Sequence, residues 1–359
     1  MRIFYVITLA DLGGAQSVVL NLARMALTDG HEVFVVSEAN GPMWDQLPKG
    51  VQKIKIPELV RRISPFKDFI TMIKLKRYYW IYRPDVVHLH SSKIGILGRL
   101  VFPKRKVVYT IHGFDSIRVA FRKFLPLEKL LKNRAVSIVS VSEYDYRHLL
   151  DEGITENVSV IYNGVSDEKR NLLSQGTSVV AFDSLKALHE AGCFVILTIA
   201  RLTPPKRFDL FCDIAQMYLN DDVRFVWIGN QHLVGDVPSN VLCMGEISDA
   251  YLALRYASLY LLPSNYEGMP MSILEALSFG MPVLASDVGG ITEVLNSRNG
   301  YALKNDPLLF AEKIRWYKDN PVEYAHSSQE ARRTYEESYT VEVMYRRYKA
   351  LYGHINTRF

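Results

Sequence analysis

The chain reads as an α/β protein of two doubly wound domains, each a parallel sheet covered by helices on both faces. Three observations predict this. Short apolar runs alternate with amphipathic segments almost from end to end. At 359 residues the chain exceeds one ordinary core and suits two domains of about 150–200 residues. Loops rich in glycine, proline and charge follow several apolar runs, at the carboxyl ends of strands, where open α/β sheets bind ligands.

In chain order, Arg2–Leu9 is an expected strand, and Gly13-Gly14-Ala15 leads into a helix to about Thr28. Glu32–Ser37 is a strand and Pro65–Arg83 a helix. Strands Asp85–His90, Lys106–Ile111, Ser137–Ser142 and Val158–Tyr162 follow, with helices near Gly95–Val101 and over Glu143–Glu152. Asn163-Gly164 is a turn, and the polar stretch Asp167–Gly176 is the expected junction. The alternation then repeats, after a short helix over Phe182–His189. Strands are expected at Phe194–Ala200, Val223–Gly229, Val241–Met244, Leu259–Leu262 and Val283–Ser286. Helices are expected at Arg207–Tyr218, Ser248–Tyr256, Met271–Phe279, Ile291–Leu295, Leu308–Glu337 and Val341–Tyr352. The domains are therefore set at residues 1–165 and 166–337, with a final segment 338–359. The two sheets are expected to face each other across a ligand cleft.

Composition narrows the class. Hydrophobic content of 48% with 23% charged residues is that of a globular protein. Cys193, Cys212 and Cys243 have no metal or disulfide spacing, so reduced structural thiols in a cytoplasmic setting are expected. The N-terminus lacks a signal-peptide pattern and no apolar run approaches 18 residues, so no membrane span is expected. The net charge of +5 conceals an asymmetry. Val51–Ala135 carries 20 Lys/Arg against 5 Asp/Glu, and the remainder 23 against 33. Phe66, Phe69, Tyr78, Tyr79, Trp80, Phe121 and Phe124 are interleaved with these basic residues. That mixture suits an anionic membrane surface, where each nearby Lys or Arg contributes about 1 kcal/mol. A solvated basic face is the alternative. Nucleic acid is not expected, because no recognised module accompanies the charge.

Several residues have the chemistry of a site. Gly13-Gly14 permits close backbone approach, and the helix after it favours phosphate. Arg201 and Lys206 flank the stiff Pro204-Pro205 turn after a strand. One cation about 4 Å from an anionic oxygen contributes on the order of 4 kcal/mol at an effective dielectric near 20, and two could neutralise a departing diphosphate. A solvated basic loop is the alternative. Met271 and Ser272 should present free backbone N–H groups at a helix start, with Pro270 in its first turn. Glu267 and Glu275 would lie about 12 Å apart along one helix, too far for a glycosidase pair, which needs about 5–5.5 Å. Separate tasks follow: Glu275 on ribose hydroxyls, Glu267 on a sugar. A helix-start acid and a solvated acid are the bland readings of the two. His112 ends a strand, and His88 and His90 share a face of the strand before it. Nothing supplies those histidines with a third metal ligand, and there is no Asp-x-Asp motif, so no metal or other cofactor is expected.

Together the motifs resemble the retaining glycosyltransferases of glycosyltransferase family 4, which have the GT-B fold. The marks are Gly13-Gly14-Ala15, Asp85-Val86-Val87-His88-Leu89-His90, Thr110-Ile111-His112-Gly113 and Tyr162-Asn163-Gly164-Val165. Arg201 with Lys206, and Glu267-Gly268-Met269-Pro270-Met271 running to Glu275-Ala276, complete them. The resemblance implies a nucleotide-sugar donor, by family frequency a UDP-sugar, held mainly by the second domain, and an acceptor held by the first. It implies that Arg201 and Lys206 hold the diphosphate, with Gly14 closing from the other domain. Glu275 would hold the ribose, Ile247 would lie by the base, and Glu267 and His112 would act near the reacting centre. Metal-independent transfer with retention is implied, by front-face return or by a covalent intermediate, and the last helix would cross back to the first domain. Two departures stand out: Gly229-Asn230-Gln231 replaces a Gly-x-Gly turn, and Arg207 replaces a glycine.

Asp85–Leu100 and Tyr109–Phe114 resemble the branch that builds capsule, exopolysaccharide and O-antigen chains. The acceptor implied is a polyprenyl-diphosphate-linked sugar or oligosaccharide, and the location the inner face of the cytoplasmic membrane. Two other functions fit the same architecture: a nucleotide-sugar 2-epimerase, which needs no acceptor, and a non-catalytic scaffold, against which the intact charged residues argue.

Overall fold

The computed structural model describes residues 1–167, 169–170, 180–232 and 234–357. The chain divides into two compact units, Met1–Gly164 with Val341–Phe359, and Val165–Thr340. Most of the polar stretch expected to hold the junction, 167–176, lies outside the described residues.

The first unit is a seven-stranded sheet in the order β3-β2-β1-β4-β5-β6-β7. Its strands are β1 (Arg2–Ile7), β2 (Glu32–Ser37), β3 (Gln52–Lys55), β4 (Val86–His90), β5 (Val107–Ile111), β6 (Ser137–Ser140) and β7 (Val158–Val160). All neighbours pair in parallel. β4 and β5 are buried along their whole length, as strands covered on both faces must be. The expected helix near Gly95 begins earlier and spans Ser92–Val101. Its glycines stay helical because the helix lies directly on the sheet. A Cβ at Gly95 would come 2.4 Å from the Tyr109 ring, and one at Gly98 would come 2.6 Å from Leu89. The C-terminal helix Val341–Thr357 packs into this unit, as expected. Its Tyr345 hydroxyl bonds Asp29 at 2.9 Å, and those of Tyr348 and Tyr352 reach Thr110 and His88 at 3.0 and 2.7 Å.

The second unit is a six-stranded parallel sheet in the order β10-β9-β8-β11-β12-β13. Its strands are β8 (Phe194–Ile199), β9 (Val223–Ile228), β10 (Val241–Cys243), β11 (Leu259–Leu262), β12 (Val283–Ser286) and β13 (Gly300–Leu303). Ala250–Tyr256 is a 3-10 helix rather than part of an α-helix. The single helix expected over Leu308–Glu337 is two, Pro307–Asp319 and Pro321–Ser338. Pro321 has no N–H to continue the first and starts the second instead. β3 and β13 were not expected; both are four-residue edge strands, and β3 holds a single apolar residue, Ile54.

Both sheets have the doubly wound arrangement, in which strand order reverses beside a central strand. The reversal lies between β1 and β4 in the first unit, and between β8 and β11 in the second. Loops leaving these strand pairs splay apart and open a crevice at each point. The three cysteines are free and half-buried. Burial pushes the Cys212 thiol up to about 12, so it is unreactive at neutral pH. Among the described residues no helix is long and apolar enough to cross a membrane.

Candidate active site

In the second unit the expected donor-site residues gather at the β8/β11 crevice. Arg201 follows β8 and is exposed. Lys206 closes the turn Pro204–Lys206, and its Nζ forms an ion pair with Glu267 Oε1. The same oxygen accepts a 2.7 Å hydrogen bond from Ser264 Oγ. Ser264 is wholly buried, and its N–H donates to Ser286 Oγ at the end of β12. Asn265 N–H donates to the Pro205 carbonyl at 2.8 Å, joining the lysine turn to the glutamate loop. Gly289, at φ +58°, closes the loop from the other side. A Cβ there would lie 1.7 Å from the Glu267 carbonyl oxygen, so only glycine fits.

The helix Met271–Ser278 starts beside this loop, with Pro270 just outside it rather than in its first turn. Proline there has ψ 122°, an extended conformation. Every residue of the helix is buried except Ser272 and Glu275, which lie three apart on one face. The only polar stripe this helix shows therefore consists of those two side chains. Met271 is buried and offers its backbone N–H alone. No acidic residue in the first turn neutralises the helix start.

Tyr260 of β11 lies beneath these groups. Its hydroxyl donates to the Ile199 carbonyl at 3.2 Å, and Ser272 also bonds it. Burial pushes this hydroxyl far above its ordinary range, and the nearby Glu275 and Glu267 add to the shift. Sequence reading missed Tyr260, Ser264 and Gly289. The available signal for Tyr260 was a polar hydroxyl inside a strand buried on both faces, which must find a partner.

The departures from the family pattern have local explanations. Arg207 adopts φ 42°, ψ 53°, the left-handed region where glycine is usual, and its guanidinium pairs with Asp209 at 2.7 Å. That cation is already engaged. Asn230 substitutes for a backbone turn: its Oδ1 accepts from Gly245 N–H at 2.8 Å and its Nδ2 donates to the His232 carbonyl. Gly229 packs so tightly that a Cβ would come 2.4 Å from the Ala200 carbonyl oxygen. Ile247 is half-buried beyond this turn.

In the first unit, Gly14 is exposed and opens helix Gly14–Thr28, which also has no acid in its first turn. Ser91, directly after β4, has φ 103°, a strained value for a side-chain-bearing residue, and its Oγ bonds Thr8 Oγ1 at 2.7 Å. His112 follows β5 and is half-buried. Its Nε2 lies 3.0 Å from His90 Nδ1, and burial pushes its imidazole down to about 4, so it is neutral at pH 7. Among the described residues no group of three His, Cys, Asp or Glu side chains is placed to hold a metal ion.

Two Rossmann-like sheets with polar groups gathered at the strand-order reversals define the GT-B fold. Comparison with known proteins agrees. The model of Glycosyltransferase Family 4 matches residues 12–169, and that of Glycosyl transferases group 1 matches residues 193–320. A UDP-Gal:alpha-D-GlcNAc-diphosphoundecaprenol alpha-1,3-galactosyltransferase of Escherichia coli is 28% identical over 351 residues, covering 90% of this chain and 89% of its own. The O-antigen biosynthesis glycosyltransferase WbnH of Escherichia coli is 25% identical over 311 residues, covering 84% and 85%. Among solved structures, Anabaena Alr3699/HepE in complex with UDP superposes with a TM-score of 0.80 at 20% identity, over 99% of this chain and 100% of its own. The chain belongs to the family-4 type of glycosyltransferases.

Proposed function

We propose that this chain transfers a hexosyl group from a UDP-sugar to a polyprenyl-diphosphate-linked glycan, retaining anomeric configuration and using no metal ion. The observation that carries this reading is the convergence of Lys206, Glu267 and the Ser272/Glu275 stripe on one crevice. In this reading Arg201, Lys206 and the N–H groups of Met271 and Ser272 take the diphosphate, whose charge grows as the glycosidic bond breaks. Glu275 accepts from the ribose hydroxyls, and Ile247 packs on the base. Glu267 has Oε1 engaged by Lys206 and Ser264, which leaves Oε2 for a sugar hydroxyl. By the family resemblance, His112 and Gly14 of the first unit are further candidates, for the sugar and the phosphates respectively.

The acceptor class is supported by the name of the galactosyltransferase relative, which acts on a lipid-linked sugar. A lipid-borne acceptor calls for a membrane-facing surface, and helix Pro65–Tyr82 supplies one. Its inner face buries Thr71 and Leu75. Its outer face shows Phe66, Phe69, Ile73 and Trp80 to solvent, spaced as a single helical stripe. Lys67, Lys76 and Arg77 accompany them, while Lys74 is paired with Glu58 at 2.6 Å. We assign this helix to peripheral contact with the anionic inner face of the cytoplasmic membrane.

The test is a screen of radiolabelled UDP- and GDP-sugars, beginning with UDP-galactose, against a synthetic polyprenyl-diphosphate N-acetylglucosamine. A labelled lipid-linked disaccharide with the donor's anomeric configuration is expected. Net isomerisation of donor incubated alone would overturn the reading in favour of a 2-epimerase.

A further inference from the structure

Beneath His112 the first unit contains a buried polar chain that the proposed chemistry does not use. His90 Nδ1 meets His112 Nε2 at 3.0 Å, with the rings stacked at 5.3 Å between centroids. His90 in turn lies against His88, at 3.8 Å between centroids. His88 has both nitrogens occupied: Nδ1 by the Tyr352 hydroxyl and Nε2 by the Thr110 hydroxyl, each at 2.7 Å. Thr110 is held by the Tyr348 hydroxyl at 3.0 Å. The C-terminal helix thus anchors one end of the chain, and His112 is the other end. Strand register explains the line-up. His90 pairs with Thr110 across β4 and β5, so His112 stands two residues farther along the same face.

The geometry points to His90 as a positioning residue that fixes the tautomer and ring orientation of His112. Burial keeps both imidazoles neutral, so each carries one N–H. A single proton lies between His90 Nδ1 and His112 Nε2. Two arrangements are possible, and the outer atoms separate them. His90 Nε2 and His112 Nδ1 are both buried without a protein partner. His90 is wholly buried, whereas His112 is partly exposed just past the end of β5, so its buried Nδ1 lies nearer to solvent than His90 Nε2. An orphaned N–H is costlier deep inside than an orphaned lone pair. The His90 proton therefore sits on Nδ1 and is donated to His112 Nε2. His112 then carries its proton on Nδ1, an atom with no protein partner in this structure. Free histidine in water favours the opposite tautomer, with the proton on Nε2, so His112 is held in its less common form.

This assignment rests on the reading of His112 as a residue that meets the donor sugar, and the experiment separates the two. Nitrogen-15 NMR of histidine-labelled protein reads the His112 tautomer directly, without substrate. The Nδ1–H form is expected in the wild type, and the Nε2–H form in His90→Phe, which keeps a ring but no hydrogen bond. Asn at this position places an amide N–H near the original Nδ1, so His90→Asn should restore the wild-type signature. In transfer assays His90→Phe should lower kcat by about 10–10²-fold, the scale of losing an orienting partner, with donor KM unchanged. His90→Asn should recover most of that loss. An Nε2–H His112 in the wild type, or an unaltered signature in His90→Phe, overturns the assignment. If His90→Phe does not fold, the wild-type signature and the His90→Asn kinetics still decide. Normal transfer by His112→Ala would instead refute the catalytic reading of His112, whatever the NMR shows.

Discussion

Lys206 is paired with Glu267, so the cation expected to hold the diphosphate is shared with a carboxylate. Both side chains are largely shielded from solvent, at 23% and 10% exposure, which strengthens that competition. Glu267→Gln should therefore tighten UDP binding, because Lys206 no longer divides its charge. The same change should lower kcat by at least about 10²-fold if the carboxylate serves the reacting sugar, the scale for losing one preorganised charged group. Lys206→Ala and Glu275→Ala should each lower transfer by at least about 10²-fold for the same reason, and both should weaken UDP. Calorimetric titration with UDP beside steady-state kinetics checks all three. Weaker UDP binding by Glu267→Gln would mean that the carboxylate only supports the loop. The Lys206–Glu267 pair spans 61 positions and was not legible in sequence, since it depends on β8 and β11 becoming neighbours. Ser272 and Glu275 were legible individually, but not that burial leaves them as the only polar stripe of their helix.

Central strands were readable because apolar runs buried on both faces leave a strong mark: β1, β4, β5, β8 and β11 all carry it. Of the edge strands, β7 and β10 were readable, but β3 and β13 were not. In β3 only Ile54 points inward, between lysines, and such a pattern resembles a charged loop. Helix Pro65–Tyr82 was legible as a helix from its periodicity, while its exposed apolar stripe required knowing which face the sheet covers. Ordinary surface helices turn charge outward. This one turns out Phe66 at 75% exposure and Trp80 at 64%, opposite the buried Leu75. Phe66→Ser, Phe69→Ser and Trp80→Ser combined should abolish flotation with vesicles containing anionic lipid at low salt. Replacing Lys67, Lys76 and Arg77 by Gln should weaken binding by about 1 kcal/mol per charge. Transfer to a water-soluble acceptor should be unaffected by either set. Absence of wild-type binding to such vesicles at low salt would remove the membrane assignment.

At the scale of the whole chain, each unit has its own apolar core, and the buried histidine chain belongs to one of them. That makes the response to acid uneven. His88 and His90 are held well below the ordinary histidine range by burial, and His112 is pushed down to about 4. Burial also lowers His31. The unfolded chain takes up these protons near pH 6.5 while the native protein refuses them, so stability is complete above that pH and declines as pH falls toward 4. Each such histidine contributes at most about 1.4 kcal/mol per pH unit across the window. Glu38 and Glu128, raised by burial, act in the opposite sense, because the native state holds their protons more tightly. Four histidines outweigh two glutamates, and carboxylates held low by partners, such as Asp29 beside Lys349 and Asp167 beside Arg332, lose their contribution only below about pH 4. The urea midpoint should therefore fall between pH 7 and pH 5, and the loss should begin in the first unit. Hydrogen exchange, corrected for its intrinsic pH dependence, should show β4, β5 and helix Val341–Thr357 losing protection at pH 5 while β8 and β9 keep theirs. A midpoint that stays constant over that range, or equal losses in both sheets, would show that the histidines carry no net linkage to folding.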